Sequence, residues 1–168
     1  MKYNKSMKKI LIVFSLLCLS LAAHAAGVFG LWKTVNESTG KPMNIIRAFE
    51  RDGVLYGEIV LMYNQNGLPL VARDYNGKAV CDDSVRAENM RGRPSFCGMV
   101  VISGLRLGNM GIFSGGTITN PLNGRSYRVE VWLVDNDHLM VRGRWGLFSR
   151  TQAARRVTER DLAAILNS

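Results

Sequence analysis

The sequence predicts an all-β fold: a single antiparallel barrel of eight strands, finished by a short C-terminal helix. Three observations predict it. Most of the chain after residue 25 alternates apolar and polar residues with the two-residue period of half-buried strands. Gly, Asn and Asp clusters break that alternation at short intervals, so the runs follow one another as a closed meander. The last residues abandon the period of two for a helical stripe.

The first 25 residues read as an export signal rather than as part of the fold. Lys2, Lys5, Lys8 and Lys9 accompany an apolar run from Ile10 to Ala23, and Ala23-His24-Ala25 has the small-x-small form of a cleavage site. That run is about 14 residues, short of the ~20 a spanning helix needs, so no transmembrane segment is expected after cleavage. Met7, directly before Lys8-Lys9, offers a second start, and Cys18 follows Leu17, where a lipid-attachment signal calls for a small residue. The expected mature chain is therefore one domain, residues 26–168, periplasmic or secreted. Loss of the signal removes four lysines and no acid, which lowers the formal net charge from +9 to +5. A scattered charge of that size, with no basic block beside an aromatic platform, predicts no nucleic-acid partner.

Eight strands are read at 28–35, 43–50, 54–63, 98–105, 112–120, 125–134, 138–145 and 149–157. In the sixth, Tyr127, Val129, Val131 and Leu133 fall on one face, and Arg128, Glu130 and Trp132 on the other. Asp52-Gly53 suits a tight hairpin between the second and third strands, and Asp135-Asn136-Asp137 joins the sixth to the seventh. Asn120-Pro121 begins a turn that Asn123-Gly124 completes. Before it, Gly115-Gly116 marks a bulge, a barrel corner or open space beside a ligand.

Residues 64–97 break the rhythm. So long a polar loop in a compact domain is functional or tied down. Cys81 and Cys97 are the two cysteines left after the signal, in an oxidising compartment, and are expected to form a disulfide. Fifteen residues lie between them, a closure that the loop-entropy model values at about 3 kcal/mol. Two buried free thiols or a metal site are the alternatives. His138 is the one histidine after the signal, which supplies a cysteine-histidine zinc site poorly, and no metal is expected. Asp74, Asp82, Asp83, Arg86, Arg91 and Arg93 match no calcium loop and read as solvated. At the end of the chain, Thr158 stands three residues before Asp161, and Leu162, Ile165 and Leu166 share a stripe, which predicts a capped helix over 158–167.

Gly30-Leu31-Trp32, Gly57-Glu58-Ile59-Val60, Gly98-Met99-Val100-Val101-Ile102 with Gly104-Leu105, the stretch 115–127, Leu139-Met140-Val141-Arg142-Gly143, and Arg150-Thr151-Gln152 with Arg156 form an ordered set. Together they resemble a family of exported bacterial proteins known as a domain of unknown function, over about 30–157. The resemblance implies a small barrel akin to the lipocalins and fatty-acid binders. In that superfamily a Gly-x-Trp on the first strand packs under an arginine of the last, and Gly30, Trp32 and Arg156 would fill those structural parts here. A guanidinium stacks on an indole face and bonds strand-end carbonyls, which closes a barrel floor.

Matched groups for catalysis are scarce. No Ser-His-Asp order or metal-binding spacing occurs, so no catalytic residue and no cofactor is expected. Glu58 and Glu130 stand mid-strand among apolar neighbours. Facing inward, they would make an acid-base pair, the hydrolase alternative. Facing outward, they would pair with Arg47, Arg128 or Arg142. Those arginines are also suited to a carboxylate or phosphate head. With Gly115 and Gly116, these residues are the candidate ligand contacts. The leading expectation is a barrel that binds a small amphiphilic ligand in the cell envelope, ahead of a filled structural barrel with an exposed patch that includes Trp132.

Overall fold

Alternating strands joined by tight turns curl until the last one meets the first. The computed structural model describes residues 27–168; the expected signal at 1–25 and Cys18 lie outside the described residues. Ten strands are present: β1 (Gly30–Val35), β2 (Pro42–Arg51), β3 (Val54–Met62), β4 (Val71–Arg73), β5 (Ala79–Cys81), β6 (Val100–Leu107), β7 (Phe113–Asn120), β8 (Arg125–Leu133), β9 (His138–Trp145) and β10 (Phe148–Val157). One helix, α1 (Glu159–Leu166), follows. Eight strands close a barrel in the order β1-β10-β9-β8-β7-β6-β3-β2, and β4 pairs with β5 in a separate small sheet. Every barrel pairing is antiparallel. The fold is thus the eight-stranded lipocalin-like barrel that the alternation and the resemblance imply.

This meander gives the barrel two distinct ends. The β2–β3, β6–β7 and β8–β9 connections lie at one end, together with the start of β1 and the finish of β10. At the other end lie the β1–β2, β7–β8 and β9–β10 connections. The core fills the first of these ends: Trp32, Leu55, Leu105, Phe113, Val131 and Leu139 are all buried there in one cluster. Val129 and Val131 lie inside while Arg128, Glu130 and Trp132 are more exposed, as the parity of β8 requires.

A second cluster lies on the outer face of β1, β2 and β3, where Leu31, Ile45 and Leu61 are buried under Leu162 of α1. This explains why β3 reads as an almost continuous apolar run. It is covered on both faces, by the core inside and the helix outside. A capping box starts the helix: the Asp161 N–H donates to Thr158 Oγ1 at 3.1 Å, and the Thr158 N–H to Asp161 Oδ2 at 2.8 Å.

The loop over 64–97 is more structured than its composition suggests. Asp74 Oδ1 accepts the N–H groups of Asn76 and Lys78, both at 2.9 Å, and makes the turn of the β4–β5 hairpin. Cys81 and Cys97 form the disulfide, with a Cα–Cα distance of 6.0 Å. Inside the loop that it closes, Ala87 and Phe96 are buried in the barrel core, where the polar composition predicts solvated loop. Gly98 then donates to the Ile59 carbonyl at 2.8 Å, and the Ile59 N–H to the Met99 carbonyl at 2.9 Å. The loop therefore completes the wall where β3 and β6 pair only in part. Strands of three residues and single apolar side chains carry no period, so alternation could not reveal them.

Candidate functional site: the open end of the barrel

Above the filled core the barrel is hollow. A cavity of about 470 Å3 opens at the end formed by the β1–β2, β7–β8 and β9–β10 connections. Its depth is apolar, with Ile46, Ile59, Ile102, Ile118, Val141 and Ala154 among its lining residues. Polar groups collect nearer the mouth. Thr34 Oγ1 donates to Asn44 Oδ1 at 2.8 Å, and Gln152 Nε2 donates to the Val35 carbonyl at 2.6 Å. Arg125 and Arg150 also line the cavity. Arg150 reaches Glu37 at 3.6 Å with much of its side chain in solvent. Tyr127 and Trp145 meet edge to face, centroids 5.8 Å apart, and both line the same space. The arrangement combines an apolar pocket with a few polar groups at its entrance, as small-molecule sites do.

The β7–β8 hairpin at this mouth is held by its asparagines. Asn120 Oδ1 accepts the Leu122 N–H at 2.9 Å, and Asn123 Oδ1 the Arg125 N–H at 3.0 Å. The long loop braces it from outside, with Asn89 Nδ2 donating to the Leu122 carbonyl at 2.5 Å.

The seven candidate contacts nominated from the sequence stand elsewhere: none of Arg47, Glu58, Gly115, Gly116, Arg128, Glu130 and Arg142 lines this cavity. Arg47 and Glu58 are paired across β2 and β3, 3.5 Å apart, and Arg47 also bonds Glu159 of the helix at 3.2 Å. Glu130 takes Arg144 at 2.9 Å and Arg142 at 3.6 Å, while Arg142 stacks over Trp132 at 4.8 Å. The two glutamates are not brought together, since β3 and β8 are separated by β6 and β7. Parity is the reason. Arg47, Glu58, Arg128, Glu130 and Arg142 sit one residue out of step with the cavity-lining Ile46, Ile59, Tyr127 and Val141.

Gly116 has a structural explanation. A Cβ there would meet backbone of β6, 2.6 Å from the Gly104 carbonyl carbon. The missing side chain lets β6 and β7 cross closely at the bulge between Phe113 and Gly116. Gly115 is exposed, with φ of +86° and open space around it.

Gly30, Trp32 and Arg156 do meet, at the opposite end. The Arg156 guanidinium lies 4.1 Å from the centre of the Trp32 ring. It donates to the carbonyls of Phe29 (3.0 Å), Asn136 and Gly27. Trp32 is 1% exposed and gives its indole N–H to the Val28 carbonyl at 2.8 Å. Arg156 Nη1 passes so near Gly30 that a Cβ there would lie 3.1 Å from it.

Arg125, Tyr127, Trp145, Arg150 and Gln152 line the cavity without standing out in the sequence, although a signal for them exists. Arg125 shares the face of Tyr127, Val129 and Val131, and Arg150 and Gln152 share that of Arg156. Following one face to the end of each strand leads to the rim. Among the described residues, no group of three or more His, Cys, Asp or Glu is placed to hold a metal, and no helix is long and apolar enough to cross a membrane.

A family model described as an uncharacterized protein conserved in bacteria, DUF2147, matches residues 30–156. No curated protein matches the chain. Among solved structures, protein HP1028 from Helicobacter pylori, described as belonging to the lipocalin family, superposes with a TM-score of 0.58 at 21% identity. The match covers 82% of this chain and 88% of that one. At that identity the likeness speaks for the fold.

Proposed function

We propose, on the premise that this chain belongs to the uncharacterized bacterial family DUF2147 and folds as a lipocalin-like barrel, that it is an exported binding protein for a small amphiphilic ligand. The ligand enters at the open end with its apolar part in the hollow and its polar head at the rim. The observation that carries this reading is the cavity itself: about 470 Å3 of space with aliphatic depth and two arginines at its mouth. Apolar burial supplies the affinity, at roughly 25 cal/mol per Å2 removed from water. Arg125 and Arg150 supply bidentate donors suited to a carboxylate or phosphate head. The Cys81–Cys97 disulfide supports an oxidising compartment outside the cytoplasm. Export by the signal at residues 1–25 belongs to the same reading.

Native mass spectrometry of protein taken gently from its own cell envelope tests it, compared with the denatured mass. The expected result is an added mass that disappears on denaturation. Gly143 lines the cavity, and a Cβ there would meet only Ile118 Cγ2 at 3.9 Å, so Gly143→Leu fits the backbone and projects into the hollow. It is expected to lose the added mass while it keeps the fold. A bare wild-type mass, or an added mass that Gly143→Leu retains, removes the cavity as the binding site.

A further inference from the structure

The rim around the mouth has a composition that the cavity does not require. The β9–β10 connection runs Trp145-Gly146-Leu147-Phe148, and Leu147 is 102% exposed, Phe148 69% and Trp145 45%. Trp145 and Phe148 stack with centroids 6.4 Å apart, which makes a stiff aromatic tip. Leu122, on the neighbouring β7–β8 hairpin, is also exposed. Trp145 and Leu122 also border the cavity, but Leu147 and Phe148 do not line it, and stable folding gains nothing from large apolar side chains held in water at one end of a barrel.

Charge distinguishes this end as well. The hairpin stretches 120–125 and 144–150 carry Arg125, Arg144 and Arg150 and no Asp or Glu. The third connection at the rim, 36–41, adds Glu37 and Lys41, which cancel, whereas at the opposite end the turn stretches 50–53 and 134–138 carry Glu50, Asp52, Asp135 and Asp137 against one arginine, Arg51. Two rim arginines have carboxylate partners, Arg144 with Glu130 at 2.9 Å and Arg150 with Glu37 at 3.6 Å. Exposed pairs of this kind are weak and exchange readily for another anion.

We propose that the open end docks on an anionic lipid bilayer, with Trp145, Leu147, Phe148 and Leu122 entering the headgroup layer and Arg125, Arg144 and Arg150 on its phosphates. Aromatic and aliphatic side chains at a tip, backed by arginines, are what the interface between water and lipid accepts. Shape and charge favour lipid: two protruding hairpin tips present exposed aromatic and aliphatic side chains with three arginines and no Asp or Glu of their own. Shallow entry of about 5–10 Å into the headgroup boundary needs only the tips. Acidic turns at the far end orient the molecule rim first as it approaches a negative surface. The inference does not depend on what occupies the cavity.

Flotation with vesicles tests it, phosphatidylglycerol mixed with phosphatidylcholine against phosphatidylcholine alone. The protein is expected to float with the anionic vesicles only, and less at about 0.5 M salt, where surface charges are screened within a few ångströms. Leu147→Glu combined with Phe148→Glu is expected to weaken binding on the order of tenfold or more. Both positions are exposed, and thermal unfolding of the variant checks that the fold is intact. Arg51→Glu, at the opposite end, makes a comparable change in charge and is expected to leave binding unchanged. Gly143→Leu is expected to float as the wild type does, so a failed cavity and a failed docking surface give different results. Absence of flotation with anionic vesicles overturns the proposal. So does equal weakening by Arg51→Glu and the tip variant, which would mean unoriented attraction. A dimer in sedimentation velocity that the tip variant dissociates, without vesicle binding, assigns the tip to a second copy of this chain and overturns it too.

Discussion

At one end of the barrel Trp32, Phe113, Leu55 and Leu105 fill the interior, and Arg156 lies across the tryptophan and bonds the carbonyls of two separate segments. At the other end the same eight strands enclose empty space, and Leu147 and Phe148 project into solvent. The difference teaches where the molecule keeps its stability and where it can dispense with it. Packing dense enough to hold a fold leaves no room for a guest. A hollow wide enough for a guest gives up dispersion contacts among its lining residues. Eight strands allow both by dividing the barrel along its axis.

Trp32→Ala should break the filled end. The ring is almost wholly buried, gives its N–H to Val28 and carries Arg156 on its face. Deleting it removes a large apolar volume and leaves the guanidinium without its platform, so a loss of about 3–5 kcal/mol is expected. Val141→Ala at the hollow end enlarges a space that already exists, and should cost about 1 kcal/mol. Urea unfolding of both variants measures the contrast. Equal losses would mean that the two ends do not differ as described.

Next in size is the staple on the loop. Cys81→Ser with Cys97→Ser is expected to lose about 3 kcal/mol through the released loop entropy. The effect should be felt at the open half, because the stapled segment inserts Ala87 and Phe96 into the wall between β3 and β6 and braces the β7–β8 hairpin through Asn89. Hydrogen exchange on the double variant should accelerate first at Ile59 and Gly98, whose amides tie that segment to β3, and at Met99, whose amide donates to the Phe96 carbonyl within the segment. Acceleration confined to the closed end would contradict this placement.

The filled end was the more legible of the two in the sequence. Strand parity along Val129-Val131-Leu133 is a periodic signal that gives the core directly, and the helical stripe Leu162-Ile165-Leu166 likewise gives the cluster on the outer face. The hollow end depends on particulars that periodicity averages away. Glu58 and Glu130 stand out because charges between apolar neighbours are unusual, yet on a strand that position means the outer face. Arg125 and Arg150 look ordinary because each sits beside a turn, where charge is expected. Their meaning comes from closure, which brings the ends of non-adjacent strands around one mouth. Short strands such as β4 and β5, and the buried Phe96, depend on the disulfide and on tertiary contact, and local pattern does not encode them.

The smallest expected effect concerns acid. Asp161 is held below the usual carboxylate range chiefly by the Thr158 hydroxyl and then by the Thr158 N–H, in the box that starts α1. Asp135, in the β8–β9 turn, is lowered chiefly by the Asp137 N–H and then by the His138 side chain. Asp82, beside Cys81, is lowered by Ser84. A carboxyl whose acidity is increased by folding binds fewer protons folded than unfolded. Its contribution is therefore present above the unfolded pKa, about 3.8, and lost as pH falls through the lower folded value. Two of the three groups lie where β8, β10 and the helix meet the filled end, so this end, rather than the mouth, should be the first to loosen. Amide exchange below pH 4 should rise at Asp137, Thr158 and Ser84 before it rises at Leu122 and Arg125 of the rim hairpin. Asp161→Asn should flatten the acid dependence at the helix start alone, because the amide keeps an acceptor but no longer titrates. If the rim hairpin opens first in acid, the stability of the closed end depends on its apolar packing alone, and its carboxylate turns contribute only charge.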